Sequence, residues 1–348
     1  MRRIIDANLN RSTEALRVLE EITRFYLDDA DLSSKLKHIR HEISKVADKD
    51  YEALLTSRNT VEDVGINIEN PTRRNNILNI FKANIKRLQQ ALRTLSEYGQ
   101  AEGIDSVLFE KARYESYTLE KEMYENLSQK LNKFRLQDKN LYLVTSSTGF
   151  DNDNAFLDAV ASALQGGIRI VQLREKSHDA KRIIKLGKKI REITSLYDAI
   201  FILNDRVDIA QIVDADGVHL GQDDVDIKDA RNILGDKMII GLSTHCPEQA
   251  LRAVESGADY IGVGPVFATP TKPGRMAVTT EYVKWVAQNV DIPWFAIGGI
   301  DLSNAKEVLD AEAKRIAVVR AIMNAKDPSF ATKEFINLQN SSLLSQKN

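Results

Sequence analysis

One cysteine, Cys246, stands in 348 residues, so no internal disulfide can hold the chain together and its stability must come from packed cores. Long apolar runs are missing as well. Nothing approaches the roughly 20 residues needed to cross a bilayer, and the opening Met1-Arg2-Arg3-Ile4-Ile5-Asp6 turns polar too soon for a signal-peptide core. A charge bias is absent: 48 Lys and Arg face 50 Asp and Glu, a formal net charge of -2, which offers no broad basic field to nucleic acid or an anionic membrane. Any phosphate ligand must therefore be held locally. What is present, 43% hydrophobic and 28% charged residues, excludes disordered and fibrous classes and suits a soluble globular protein, with a cytoplasmic enzyme as the expectation. The length exceeds the usual span of one domain, roughly 100–200 residues, and predicts two.

The two halves differ in pattern. From Asp6 to about Lys133, apolar residues recur at three- and four-residue spacing with charges between them and very little Gly or Pro, which predicts helices. From Leu141 onward, short runs rich in Val and Ile alternate with amphipathic stretches, the pattern of repeated βα units. The runs are 141–144, 168–173, 199–203, 217–220, 238–242, 260–263, 293–297 and 315–319. Eight strands in about 200 residues fit an α/β protein with a C-terminal (β/α)8 TIM barrel, preceded by an all-α domain, better than an open doubly wound sheet. The boundary is placed near residues 134 to 140, giving domains 1–135 and 136–348.

The helical half carries an internal repeat. Ala7-Asn8-Leu9-Asn10-Arg11, followed by Ala15-Leu16-Arg17 and Glu21, returns 76 positions later as Ala83-Asn84-Ile85-Lys86-Arg87, followed by Ala91-Leu92-Arg93 and Glu97. Asn8, Arg11 and Ala15 share one helical stripe, as do Asn84, Arg87 and Ala91, so amide and guanidinium groups from two equivalent helices could bind an anion about a pseudo-twofold. The plainer reading makes Arg17 with Glu21, and Arg93 with Glu97, surface ion pairs, and makes Asn8 and Asn84 helix caps.

In a (β/α)8 barrel the site is built after the carboxyl ends of the strands. After the second run, Gln172-Leu173-Arg174-Glu175-Lys176 sends Arg174 and Lys176 to one side of an extended segment, where both can face the barrel mouth. The third run ends in Asn204-Asp205-Arg206 and the fourth in His219-Leu220-Gly221-Gln222-Asp223-Asp224. Carboxylates beside cations suggest Mg2+ with a polyphosphate, and Asp205 and Asp224 are the expected ligands. The sixth run leads into a long loop, Gly264 to Gly274, where Thr269, Thr271 and Lys272 stand among Pro and Gly, a composition suited to closing over a charged substrate. Gly298-Gly299 after the seventh run, and Val319-Arg320 after the eighth, occupy the usual barrel phosphate position. No second His or Cys lies at metal spacing from His219, His245 or Cys246, so these are expected to be structural.

Over nearly all of residues 139 to 330 these motifs resemble, in order, the thiamine-phosphate synthase family of (β/α)8 enzymes. The resemblance implies that Gln172, Leu173, Arg174, Glu175, Lys176, Asn204, Ser243 and Lys272 contact a hydroxymethylpyrimidine diphosphate, with Arg174, Lys176 and Lys272 stabilising the leaving diphosphate. It implies that Asp205 and Asp224 hold magnesium and that Thr269, Pro270, Thr271, Gly299, Val319 and Arg320 hold a thiazole phosphate, a carboxylated form of the thiazole being open. Arg320 departs from the Ser that members often carry there, and its planar fork could bind phosphate bidentately. The implied reaction is ionisation of the pyrimidine CH2–O bond, loss of diphosphate, and attack of the thiazole nitrogen to give thiamine phosphate.

Residues 2 to 130 resemble the helical domain fused to some synthases and associated with phosphorylating hydroxymethylpyrimidine phosphate, which implies ATP as a further cofactor. The recognisable parts are Asp6 to Arg11 with Glu14 to Glu21, the loop from Ser57-Arg58 to Asp63-Val64-Gly65, and Ala83-Asn84 with Arg87 to Glu97. No Walker loop or kinase signature occurs in residues 1 to 138, so the residues alone fit an oligomerisation or regulatory module equally, and a homo-oligomer stays open. For the barrel, the rival reading is a thiazole tautomerase of the same fold. Arg174, Lys176, Asp205, Asp224 and Lys272 together argue against it, since a tautomerase has no leaving diphosphate to stabilise.

Overall fold

A computed structural model describes residues 1–59, 74–104, 106–176, 178–269 and 276–345. The chain divides into two compact units, Met1–Lys130 and Leu131–Asn348. The division lies earlier than the 135/136 boundary read from composition and falls inside a helix, because Val107–Gln137 runs as one element through the place where the sequence pattern changes.

The first unit is all-helical among the described residues: α1 (Arg2–Glu21), a π-helical segment (Ile22–Leu27), α2 (Ala30–Lys49), α3 (Tyr51–Ser57), α4 (Ile77–Ala101) and the first part of α5 (Val107–Gln137). Asp29 caps α2 by accepting from the amide of Leu32 at 2.9 Å, and Asn76 caps α4 by accepting from Asn79 at 2.9 Å. The two copies of the repeat are α1 and α4, which pack on each other. Their apolar positions, Leu9, Leu16 and Leu19 in one and Ile85, Leu92 and Leu95 in the other, are buried in the same core. Amphipathic spacing and burial therefore explain the repeat before any ligand does.

The second unit is the closed parallel barrel that the eight runs predict, with strands in chain order: β1 (Leu141–Val144), β2 (Ile170–Leu173), β3 (Ile200–Asn204), β4 (Gly217–Leu220), β5 (Ile239–Thr244), β6 (Tyr260–Val263), β7 (Trp294–Ile297) and β8 (Ile316–Val318). Pairing of Leu141 with Ile316 closes it. Period-two alternation sorts each strand into two cores. Leu143, Leu173, Phe201, Val218 and Ile261 face outward into the core shared with the surrounding helices, while Tyr142, Ile170, Ile202, Ile239, Tyr260 and Phe295 fill the interior. Leu136, near the end of α5, is fully buried in that interior cluster. Before the strands, Asp216 takes Arg135 at 2.5 Å and Arg191 at 2.7 Å, and Asp259 takes Arg231 at 2.8 Å and the Asn132 amide at 3.2 Å. Gly241 makes room for a large interior side chain, because a Cβ there would lie 2.1 Å from the Tyr260 ring. No helix among the described residues is long and apolar enough to cross a membrane.

Candidate active site

At the carboxyl ends of the strands opens a cavity of about 330 Å³. Alternation along β2 decides which of its residues reach it. Gln172, Arg174 and Lys176 line the cavity, while Leu173 turns outward and is 1% exposed in the helix-facing core. Glu175 also turns away. Its carboxylate accepts from the Ser147 amide at 3.0 Å and the Ser147 hydroxyl at 2.7 Å, with His178 at 3.2 Å, so it clasps the loop after β1 to the loop after β2. Of the five consecutive residues assigned to substrate, three face the cavity and two support them from behind.

Asn204 and Asp205 line the cavity at the end of β3. Asp205 adopts a left-handed conformation (φ 61°), which costs a non-glycine residue energy and is held by its amide donating to the His219 carbonyl at 2.9 Å. Its carboxylate meets Lys176 Nζ at 3.1 Å. Burial raises the Asp205 carboxyl above its ordinary value, and the facing Asp224 carboxyl raises it further, while Lys176 pulls it down. Asp224 is turned inward by accepting from the Gly221 amide at 2.7 Å. Two carboxyl groups forced together in a partly buried site repel when both are ionised, and a divalent cation relieves that repulsion. No group of three or more His, Cys, Asp or Glu side chains suited to a metal occurs among the described residues. A metal held by this pair would complete its shell from water and substrate, the way Mg2+ is commonly held. Burial lowers the Arg174 guanidinium from its ordinary value, opposed by Asp205 and Glu175, and it remains a cation.

Thr269, Gly298, Gly299, Val319 and Arg320 also line the cavity. Gly298 and Gly299 both have positive φ (107° and 67°), and a Cβ on Gly299 would lie 2.8 Å from the Ala268 carbonyl oxygen, so this turn after β7 needs glycine. Asn304 fixes it by donating to the Gly299 carbonyl at 2.9 Å. Arg320 is exposed, has no ion pair among the described residues and begins the short helix Arg320–Met323. Pro270, Thr271 and Lys272 lie outside the described residues.

Tyr142, Tyr260 and His219, which the sequence analysis left without a catalytic or binding role, join Gln172 and Ser243 in lining the cavity. Gln172 Nε2 donates to the Tyr142 hydroxyl at 2.8 Å, Tyr142 and Tyr260 share a hydrogen bond at 2.9 Å, Tyr260 meets His219 Nδ1 at 2.9 Å, and His219 Nε2 meets Ser243 Oγ at 2.9 Å. All five line the cavity. The signal was available: Tyr142 and Tyr260 stand at inward positions of apolar strands, where a buried phenol must find a partner. His245 also lines the cavity and is bound through Nδ1 to the Gly264 carbonyl, as a structural histidine is.

In the helical unit, Asn8 and Asn84 do not cap helices. They lie inside α1 and α4, 6% and 2% exposed, and each donates to the carbonyl four residues earlier at 2.8 Å. The cap reading failed because α1 begins at Arg2 and α4 at Ile77, each several residues before its asparagine. Arg17 pairs with Glu21 at 3.1 Å and Arg93 with Glu97 at 2.5 Å, all four more than half exposed. Arg58 grips the buried Asp6 through two hydrogen bonds of 2.7 and 2.8 Å. Arg11 and Arg87, equivalent in the repeat, have no acidic partner among the described residues, and Asp63 lies outside them.

Comparison with known proteins gives two family matches: a model described as thiamine monophosphate synthase over residues 141–322, and one described as the ThiD2 family over residues 3–122. The thiamine-phosphate synthase of Nostoc punctiforme is 42% identical over 97% of this chain and 94% of its own length, and that of Synechocystis is 43% identical over 96% and 95%. Among solved structures, a thiamine phosphate pyrophosphorylase from Pyrococcus furiosus superposes with a TM-score of 0.55 at 38% identity, covering 60% of this chain and 99% of that one.

Proposed function

The chain belongs to the thiamine-phosphate synthase family, and from that premise we propose that its barrel joins 4-amino-2-methyl-5-(diphosphooxymethyl)pyrimidine to 4-methyl-5-(2-phosphoethyl)thiazole, or its carboxylate form, releasing diphosphate. The observation that carries this reading is that Arg174, Lys176 and Asp205 line one cavity, with Lys176 on the Asp205 carboxylate and the Asp224 carboxyl facing it. Cations grouped there suit a leaving diphosphate, and the tautomerase alternative gives them nothing to do. Arg174 and Lys176 bind the diphosphate oxygens as the CH2–O bond ionises, and Lys272 joins them by resemblance. Asp205 and Asp224 would hold Mg2+, which when bound neutralises diphosphate charge. Gln172, Asn204 and Ser243 orient the pyrimidine. Thr269, Gly299, Val319 and Arg320, with Pro270 and Thr271 by resemblance, hold the thiazole phosphate so that the ring nitrogen faces the pyrimidine methylene. The closed barrel interior excludes water from the cationic carbon.

For the helical unit, the ThiD2 match supports phosphorylation of the pyrimidine monophosphate by ATP, the step that supplies the barrel's substrate. Arg11 and Arg87 are the candidate arginines left for an anion, since Arg17, Arg58 and Arg93 are engaged with carboxylates.

The test is diphosphate release by the full chain given both phosphorylated rings, with and without a chelator. Magnesium-dependent release with stoichiometric thiamine phosphate is expected, and no release from a folded protein sinks the assignment of substrates. Supplying pyrimidine monophosphate and ATP instead tests the helical unit. Failure of that mixture alone, with the diphosphate mixture still active, removes the kinase reading and leaves the barrel's intact.

A further inference from the structure

The hydrogen-bonded chain inside the barrel has a direction. An amide nitrogen can only donate, so Gln172 Nε2 makes the Tyr142 oxygen an acceptor. The Tyr142 proton then goes to its other partner, Tyr260, and the Tyr260 proton to His219 Nδ1. A neutral imidazole that accepts at Nδ1 carries its hydrogen on Nε2, where it donates to Ser243 Oγ. In this arrangement every proton of the chain has an acceptor, and the Ser243 hydroxyl proton is left to point elsewhere. At the other end, Gln172 Oε1 has no donor among the described residues. Both end residues line the cavity. One end therefore offers a bare acceptor and the other a donor.

We propose that Tyr142, Tyr260 and His219 are positioning residues that fix this polarity. Gln172 Oε1 is set to accept and Ser243 Oγ to donate, so the site takes a ring edge bearing an N–H beside a bare ring nitrogen, as an aminopyrimidine does. It disfavours the reversed edge of an oxopyrimidine, whose carbonyl would face the Gln172 acceptor and whose ring N–H would face the Ser243 donor. Relieving that mismatch means turning an end group against the orientation the chain favours, which is how Tyr142, Tyr260 and His219 can bias specificity through the two ends. The five side chains come from β1, β2, β4, β5 and β6, and Gln172, Tyr142 and Tyr260 are 2%, 2% and 0% exposed, so no bulk water competes for the central links. The inference rests on the reading that the barrel takes a pyrimidine diphosphate.

The experiment compares the full chain with its Tyr260→Phe variant, which keeps the ring and removes the central hydroxyl, using the 4-amino pyrimidine diphosphate and its 4-oxo analogue as competing substrates. The preference in kcat/KM for the amino compound should fall by about tenfold or more, because each end group is then free to reorient, while KM for the thiazole phosphate stays within about twofold. An unchanged preference, or equal loss toward every substrate, overturns the proposal and leaves Tyr260 a packing residue. Tyr142→Phe cuts the chain at the next link and replaces the first variant if that one does not fold. A readout free of activity is the nitrogen NMR signature of the His219 ring in the unmutated protein. Hydrogen on Nε2 with a bare Nδ1 is expected, and hydrogen on Nδ1, alone or with Nε2, overturns the chain's direction. If the unmutated protein turns over neither pyrimidine, the substrate reading fails, and the ring signature still decides the polarity.

Discussion

The two units place their buried polar groups differently: in the helical unit, distant partners close as pairs such as Asp6 with Arg58 and Glu20 with Arg40, and others bond locally. In the helical unit Asn8, Asn84, Ser12 and Thr23 each bond to a carbonyl three or four residues earlier, so those groups satisfy themselves within one helix. In the barrel, Gln172, Tyr142, Tyr260, His219 and Ser243 find partners on other strands, and the ends of that chain open on a cavity. A polar group bonded locally is consistent with any function or none. One that needs a distant partner and borders a void is evidence of a site. The barrel accordingly declares its chemistry through its interior, whereas among the described residues of the helical unit the exposed Arg11 and the half-buried Arg87 are candidates to carry an activity.

The largest stability effect should fall on the barrel interior. Leu136 is fully buried among Tyr142, Ile170 and Ile202, so Leu136→Ala leaves a cavity and should cost about 2–5 kcal/mol in denaturant unfolding. A loss below about 1 kcal/mol would show that the end of α5 is not an integral part of the barrel. Lys176→Ala comes next and acts on activity. It removes the cavity-lining cation that meets Asp205 at 3.1 Å, so if it binds the proposed diphosphate, turnover should fall about 10²–10³-fold with the melting temperature little changed, as measured by steady-state diphosphate release. A fall of less than about fivefold would remove Lys176 from the leaving-group site.

The barrel was legible because period-two runs followed by polar residues describe a strand and its loop together, and all eight runs became strands within a residue or two at each end. The same alternation, applied one step further, turns Leu173 and Glu175 away from the cavity; the resemblance had carried over the whole motif without asking which way each side chain points. Tyr142, Tyr260 and His219 went unassigned because their partners lie 24 or more positions away and only barrel closure brings them together. The boundary read from composition lies a few residues after the division between the compact units, because composition marks where strands begin and α5 continues past that division before the first of them.

A smaller effect tests the claim that the repeat's asparagines are structural. Asn84→Ala removes one buried hydrogen bond to the Ile80 carbonyl, whose net worth is about 0.5–1.5 kcal/mol. It should lower stability by that amount and leave ATP-dependent phosphorylation of the pyrimidine monophosphate intact. Lost phosphorylation at unchanged stability would instead put Asn84 in contact with a ligand.

The smallest effect belongs to Arg93. It pairs with Glu97 one turn away and with Glu110 at 3.4 Å, but its side chain is 57% exposed, and pairs in water contribute about 0.2–1 kcal/mol because solvent and salt screen the attraction and two long side chains lose freedom. Arg93→Ala should therefore shift unfolding by less than about 1 kcal/mol, with the difference shrinking further in added salt. Arg87→Ala is the matched variant: with no ion pair to lose among the described residues, its stability should be equally unaffected, yet the proposed phosphorylation should weaken if the guanidinium holds an anion. Should the two variants be indistinguishable in both assays, Arg87 holds no anion, and the activity proposed for the helical unit has to be sought in other residues.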